Sequence, residues 1–221
     1  IKNAFYELGP RFCIHAAIPA DQMHSIPLGV FGKHLWPITL KLVEGQNDGG
    51  LDVLDSRFKR IPPYPGFSRF KNSVSSLSFL TKKDYESIMM GLLPCLFGLI
   101  SSDVILCLRT LIDTFMMIKS ASHTENSIGV LENNLVLLHE QLNVFRAQKS
   151  MKFPKMHILA SFPRNIRRFG AADSYGTEFL ESTQRLNVVE AYEGTNHKNS
   201  EEQMIRAVTR KDKVHRMKAI L

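Results

Sequence analysis

IGVLENNLVLLHEQLNVF, residues 128–145, is the stretch that decides the fold class. Ile128, Leu131, Leu135, Leu138, Leu142 and Phe145 recur at alternating steps of three and four, which places them along one face of a helix. Glu132, Asn133, Asn134, Glu140 and Gln141 fall elsewhere on it. A single apolar stripe of this length docks on a helical core; a coiled-coil seam needs about 3–4 sustained heptads.

The same period recurs on both sides of this stretch. Upstream, Leu51, Leu54, Phe58 and Ile61 predict a helix that Pro62, Pro63 and Pro65 must end, followed by a loop from Tyr64 to Ser76. Thr81 with Asp84 three residues later has the form of a helix cap, and Ser102 with Asp103 can open the next helix. The two apolar runs Ile88–Ile100 and Val104–Ile118 read as buried helices. Pro94, Asp103, Arg109 and Asp113 interrupt them before either reaches the ~18–20 residues of a membrane span, so no membrane partner is expected. From Asp21 to about Glu44 the pattern is also helical, with a break or kink expected at Pro27 and Pro37, and the glycine-rich Gly45–Gly50 separates it from the helix that begins near Leu51. Downstream, Phe153 and Pro154 begin a new segment. Helices are expected from Thr177 to about Tyr192 and from Ser200 onward, the latter opened by a Ser200–Gln203 capping box. A short apolar run from Cys13 to Ile18, ended by Pro19, suits a buried strand that delivers Asp21 at its tip.

A chain of 221 residues that is 44% hydrophobic can bury one sizeable core, which excludes overall disorder. Its net charge of +7 favours an acidic partner such as DNA or RNA. Cys13, Cys95 and Cys107 show no C-x-x-C pairing and read as reduced thiols of a cytosolic or nuclear protein. The last helix carries Arg206, Arg210, Lys211, Lys213, Arg216 and Lys218, either a phosphate-binding surface or an ordinary solvated face.

Several strings, in order, carry a more specific signal: ADQMHSIPLGVFGKHLWP (20–37), LDVLDSRFKRIPPYPGFSRF (51–70), HTE (123–125), FPKMH (153–157), FGAADSYGTEFLES (169–182) and EAYEGTNHKN (190–199). Together they resemble the Plavaka-group transposases of the CACTA superfamily, over nearly the whole chain. The resemblance implies a mainly α chain: a helical insertion (45–150) plus a partial RNase H-like α/β core lacking its N-terminal strands (1–44, and 151–221 on the return). It implies metal-dependent DNA strand cleavage and transfer in the nucleus, with a possible homo-oligomer in the transposition complex. The family's second catalytic Asp lies in an Asp-x-x-His motif, matched here by Asp21 and His24, and its Glu is matched by Glu181, with Glu178 next to it in rank. The first Asp is expected upstream of Ile1, and Gln184 stands where family members often carry His.

The chemistry gives such residues a purpose. Breaking a phosphodiester calls for an activated oxygen and neutralised phosphoryl charge, which two divalent ions can supply. Mg2+ or Mn2+, the cofactor the resemblance implies, takes carboxylate oxygens such as those of Asp21, Glu181 and Glu178. Glu178, Glu181 and Arg185 share a helix face, so Arg185 can orient a carboxylate or meet phosphate; the ordinary reading is a salt-bridged surface. Asp21 can equally be a helix N-cap, and both roles are compatible. Arg164, Arg167, Arg168 and His157 are the remaining candidates for DNA contact. The alternative function is a non-catalytic DNA-binding or protein-interaction module derived from a transposase.

Overall fold

The computed structural model describes residues 17–46, 48–146, 148, 150–151 and 153–220, which form helices and connecting turns with no strand among them. The expected strand at Cys13–Ile18 lies largely outside these residues, as does Cys13. Two compact units result, one running through Tyr175 and one from Gly176 onward.

In the first unit, α1 (Gln22–Ser25) passes into a π-helical stretch, Ile26–Leu35, and then into α2 (Trp36–Gln46). The break expected at the prolines is thus a change of winding. Proline has no amide hydrogen to give its helix. Here the chain widens after Pro27 and closes with the Trp36 amide donating to the Phe31 carbonyl, five residues back. The helix continues through Pro37.

α3 (Gly50–Arg60) follows the left-handed Gly49 and ends, as its sequence requires, just before the Pro62–Pro63 pair. It anchors two loops. The buried Asp55 carboxylate accepts from the Ser75 amide at 2.9 Å and the Ser75 hydroxyl at 2.8 Å, and also from the Ser73 hydroxyl. Arg57 donates to the carbonyls of Cys95 and Phe97 at 2.8 and 2.6 Å, satisfying the C-terminal end of the next helix, α4 (Lys82–Leu96).

α4 opens with the expected capping box: the Asp84 amide donates to the Thr81 hydroxyl, and the Thr81 amide donates to the Asp84 carboxylate at 3.0 Å. Burial works to raise the Asp84 pKa, but hydrogen bonds from Thr81 and Ser68 and the charge of Lys83 outweigh it, so the carboxyl titrates below its ordinary range. α5 (Ser102–Ile118) is preceded by Ser101 rather than capped by Ser102, with Asp103 in its first turn. α6 (Glu125–Gln141) continues as a 3-10 turn, Leu142–Phe145. Of its apolar stripe, Ile128, Leu131, Leu138, Leu142 and Phe145 are buried and Leu135 is partly so. α7 (Pro154–Leu159), α8 (Phe162–Phe169) and a 3-10 turn at Ala172–Tyr175 complete the unit.

One core joins these helices. Phe31 and Leu35 from the π stretch, Ile88 and Leu92 from α4, Leu108 and Leu111 from α5, and Phe162 from α8 are all fully buried in it. Cys95 and Cys107 are buried free thiols; loss of solvent pushes the Cys107 thiol up to about 12. Segments 1–44, 45–150 and the start of 151–221 therefore contribute to the same interior.

Close packing makes one glycine hard to replace. A Cβ on Gly32 would stand 2.7 Å from the Pro27 carbonyl oxygen and 2.8 Å from the Tyr85 ring. Gly32→Ala is expected to destabilise by about 1–3 kcal/mol. Gly129→Ala, in α6 where nothing lies within 4 Å, should stabilise by up to about 1 kcal/mol. Urea titrations of the two variants measure this; equal effects would remove the steric account.

The second unit contains α9 (Glu178–Gln184), a π turn (Arg185–Val189), α10 (Glu190–Glu193) and α11 (Ser200–Ile220), as the helical pattern predicted. The expected Ser200–Gln203 capping box is not what Gln203 does. Its amide side chain donates to Asn196 Oδ1 at 2.7 Å and the Lys198 carbonyl at 2.6 Å, holding the turn before α11, where His197 and Asn199 have positive φ.

Candidate functional site

Asp21 is the N-cap of α1. Its extended backbone (φ −78°, ψ 125°) leaves the carboxylate facing the first turn, where Oδ2 accepts from the His24 amide at 2.7 Å. The same oxygen lies 2.8 Å from Nδ1 of the His24 ring. The i, i+3 spacing explains why one carboxylate reaches both groups. Asp21 is 14% exposed at its side chain and His24 46%, so the pair is sheltered on the Asp side and open on the His side.

Lys155 approaches this pair from another helix. Lys155, on α7, runs across Gly29, whose missing Cβ leaves room for its stem, and its Nζ donates to the His24 carbonyl. Burial, and then the charge of Lys33, lower the Lys155 pKa, while Asp21 opposes the shift. Gln22 donates to the Asp173 carboxylate, tying α1 to the turn after α8. Beside them the His34 and Phe153 rings stack at 3.7 Å with 10° between planes. The sequence pointed to FPKMH for His157; its Lys155 is the residue that reaches the Asp21–His24 pair.

His157 lies on the opposite side of α7, lining a groove of about 640 Å³ together with Arg164 and Arg167. The floor is apolar, with Leu135, Met151 and Met156. Arg167 is already engaged. Its Nε donates to Glu125 at 2.9 Å and its Nη1 to Glu132 at 2.6 Å, clamping α8 to α6 and raising its own pKa. Glu125 belongs to the HTE string, so that string serves as a helix start and an anchor for Arg167. The Arg168 guanidinium lies 5.2 Å from the centre of the Phe169 ring. Arg164 is exposed.

In the second unit Glu178 and Glu181 occupy the first turn of α9, where negative charge complements the helix dipole. Glu181 accepts from the Thr177 hydroxyl at 3.2 Å, and both glutamates are exposed. Arg185 pairs with Glu190 at 3.8 Å. Asp21 thus belongs to the first unit and Glu181 to the second. Among the described residues, no group of three or more His, Cys, Asp or Glu side chains comes together to hold a metal ion. Among the described residues, Lys155 lies close enough to Asp21 for their charges to interact, and Lys33 close enough to Lys155.

Among the described residues, no helix is long and apolar enough to cross a membrane. Compared with family models, with curated proteins and with solved structures, the chain finds no match in any of the three.

Proposed function

We propose that the chain is the C-terminal part of the catalytic region of a cut-and-paste DNA transposase of the Plavaka type, a nuclear protein acting in a homo-oligomeric complex on transposon ends. The ordered motif strings support this reading. The observation that carries it furthest is the Asp21–His24 pair: an Asp-x-x-His motif at a helix start, sheltered on one side and edged by Lys33 and Lys155. In this reading Asp21 and Glu181, with Glu178 beside it, are the acidic residues of a strand-cleaving centre, and His24 lies next to the reacting phosphate. Lys33 and Lys155 draw that phosphate in, and His157, Arg164, Arg168 and Arg185 extend the contact to the DNA backbone. Mg2+ or Mn2+ is the cofactor such chemistry calls for, and carboxylate oxygens such as those of Asp21 and Glu181 are the ligands it would take.

The test is nicking of supercoiled DNA carrying the transposon ends by the full gene product in Mg2+ or Mn2+. Asp21→Ala and Glu181→Ala should each slow it by on the order of a hundredfold or more. Unchanged nicking in both variants would falsify the assignment. A second reading, a DNA-binding module without chemistry, is favoured by the basic α11. It predicts salt-sensitive DNA binding with no metal-dependent nicking.

A further inference from the structure

We infer that α11 is a major-groove recognition helix for duplex DNA, presenting Lys211 and Lys218 along one flank, Arg206 and Lys213 along the other, and Ala207, Arg210 and Val214 between them. The inference concerns binding and is independent of whether Asp21 and Glu181 cut.

The placement follows from helix geometry. At 3.6 residues per turn, Arg206 and Lys213 fall on one row and Lys211 and Lys218 on a second, somewhat under half a turn away. Ala207, Arg210 and Val214 run along the strip between. All of these residues are exposed. The face turned from them is the one used for packing: Met204 and Val208 are partly buried and, with Asn187 of the π turn, line a shallow pocket. Of the cations in the two rows and the strip, Arg206 alone is held by an acidic side chain among the described residues. Glu202 holds Arg206 at 2.8 Å and Asp212 holds Arg216 at 2.9 Å, while Arg210, Lys211, Lys213 and Lys218 form no ion pair among the described residues.

Two rows of cations flanking a strip of one arginine and small apolar side chains match what a B-DNA major groove offers. Its phosphates line both walls, and base edges form its floor, where arginine meets guanine O6 and N7 and alanine or valine meets the thymine methyl. The groove admits an α-helix. From Arg206 to Lys218 the helix rises roughly 18 Å, the length of about five base pairs. A-form RNA hides its major groove from such an element. An anionic bilayer is a poorer fit, because residues 200–220 contain no Phe, Trp, Tyr or Leu to enter it.

The experiment is fluorescence anisotropy of the full chain on labelled 20-base-pair DNA between 50 and 200 mM salt. Replacing Lys211, Lys213 and Lys218 together by Gln should make the slope of log affinity against log salt shallower by about 2.7, roughly 0.9 for each phosphate released. Arg210→Ala should cut discrimination between guanine-containing and guanine-free sites by about tenfold. Lys41→Gln, at an exposed cation of α2 outside every proposed contact, should leave both quantities unchanged, and because binding is read without metal or cleavage, failure of this inference is distinguishable from failure of the cleavage reading. An unaltered slope in the triple variant, absence of DNA binding by the parent chain, or equally tight binding to an RNA duplex or to phosphatidylserine vesicles would each overturn it.

Discussion

Phe31→Ala is expected to lower the stability of the first unit by about 3–5 kcal/mol. Phe31 has no solvent exposure and lies edge-on to Tyr85, with ring centres 6.1 Å apart, and 6.0 Å from Trp36. Truncation removes the transfer energy of the ring and leaves a void that the π stretch, held by Gly32 against Tyr85, is poorly able to close. Against a typical domain stability of about 5–15 kcal/mol, that loss brings the unit close to unfolding at ordinary temperature. Phe97→Ala is the control: the ring is 76% exposed, and the change should stay within about 0.5 kcal/mol. Denaturant midpoints decide the matter, and a Phe31 variant as stable as the Phe97 variant would mean the core is organised otherwise.

Asp55→Ala should cost about 3 kcal/mol by a different route. Asp55 is 7% exposed and gathers both serines of the loop after α3; without it the Ser75 amide loses its acceptor and the two partly buried hydroxyls keep only each other as acceptor, a loss of charge-assisted hydrogen bonds worth about 1.5–3 kcal/mol each at most. Asp55→Asn keeps one acceptor oxygen and should recover part of the loss. Hydrogen exchange at the Ser75 amide is the local readout: it should accelerate strongly in Asp55→Ala, and unchanged protection would show that the loop is held by something else.

The sequence was most legible where structure is local. The stripe from Ile128 to Phe145, the end of α3 at the Pro62–Pro63 pair and the Thr81–Asp84 box depend on residues within a few positions of each other, and the structure has them where expected. The π winding is invisible to a 3.6-residue template, which cannot register an i to i+5 ladder, so Pro27 inside it and Pro37 just after it read as breaks. The Thr124–Ser127 cap escaped notice because serine stands where the usual box has Glu or Gln. At the candidate site, the Asp21–His24 pair was readable from a spacing of three. Lys155 was not, since what makes it a neighbour is the absent side chain of Gly29. Arg167 read as a phosphate contact because its partners, Glu125 and Glu132, lie 42 and 35 positions away.

The bonds that close around Asp21 join residues far apart in the chain: Lys155 reaches His24 across 131 positions and Gln22 reaches Asp173 across 151. Loop-closure entropy must be overcome before such contacts stabilise anything, whereas α4, α5 and α6 meet neighbours adjacent in sequence. The hairpin-like helical pairs therefore meet at the lower entropic cost, and the surroundings of Asp21 require the later segment bearing α7 and α8 to dock. The residues of most chemical interest are thus held by contacts between distant parts of the chain, so a change in either α7 or the turn after α8 is felt at Asp21.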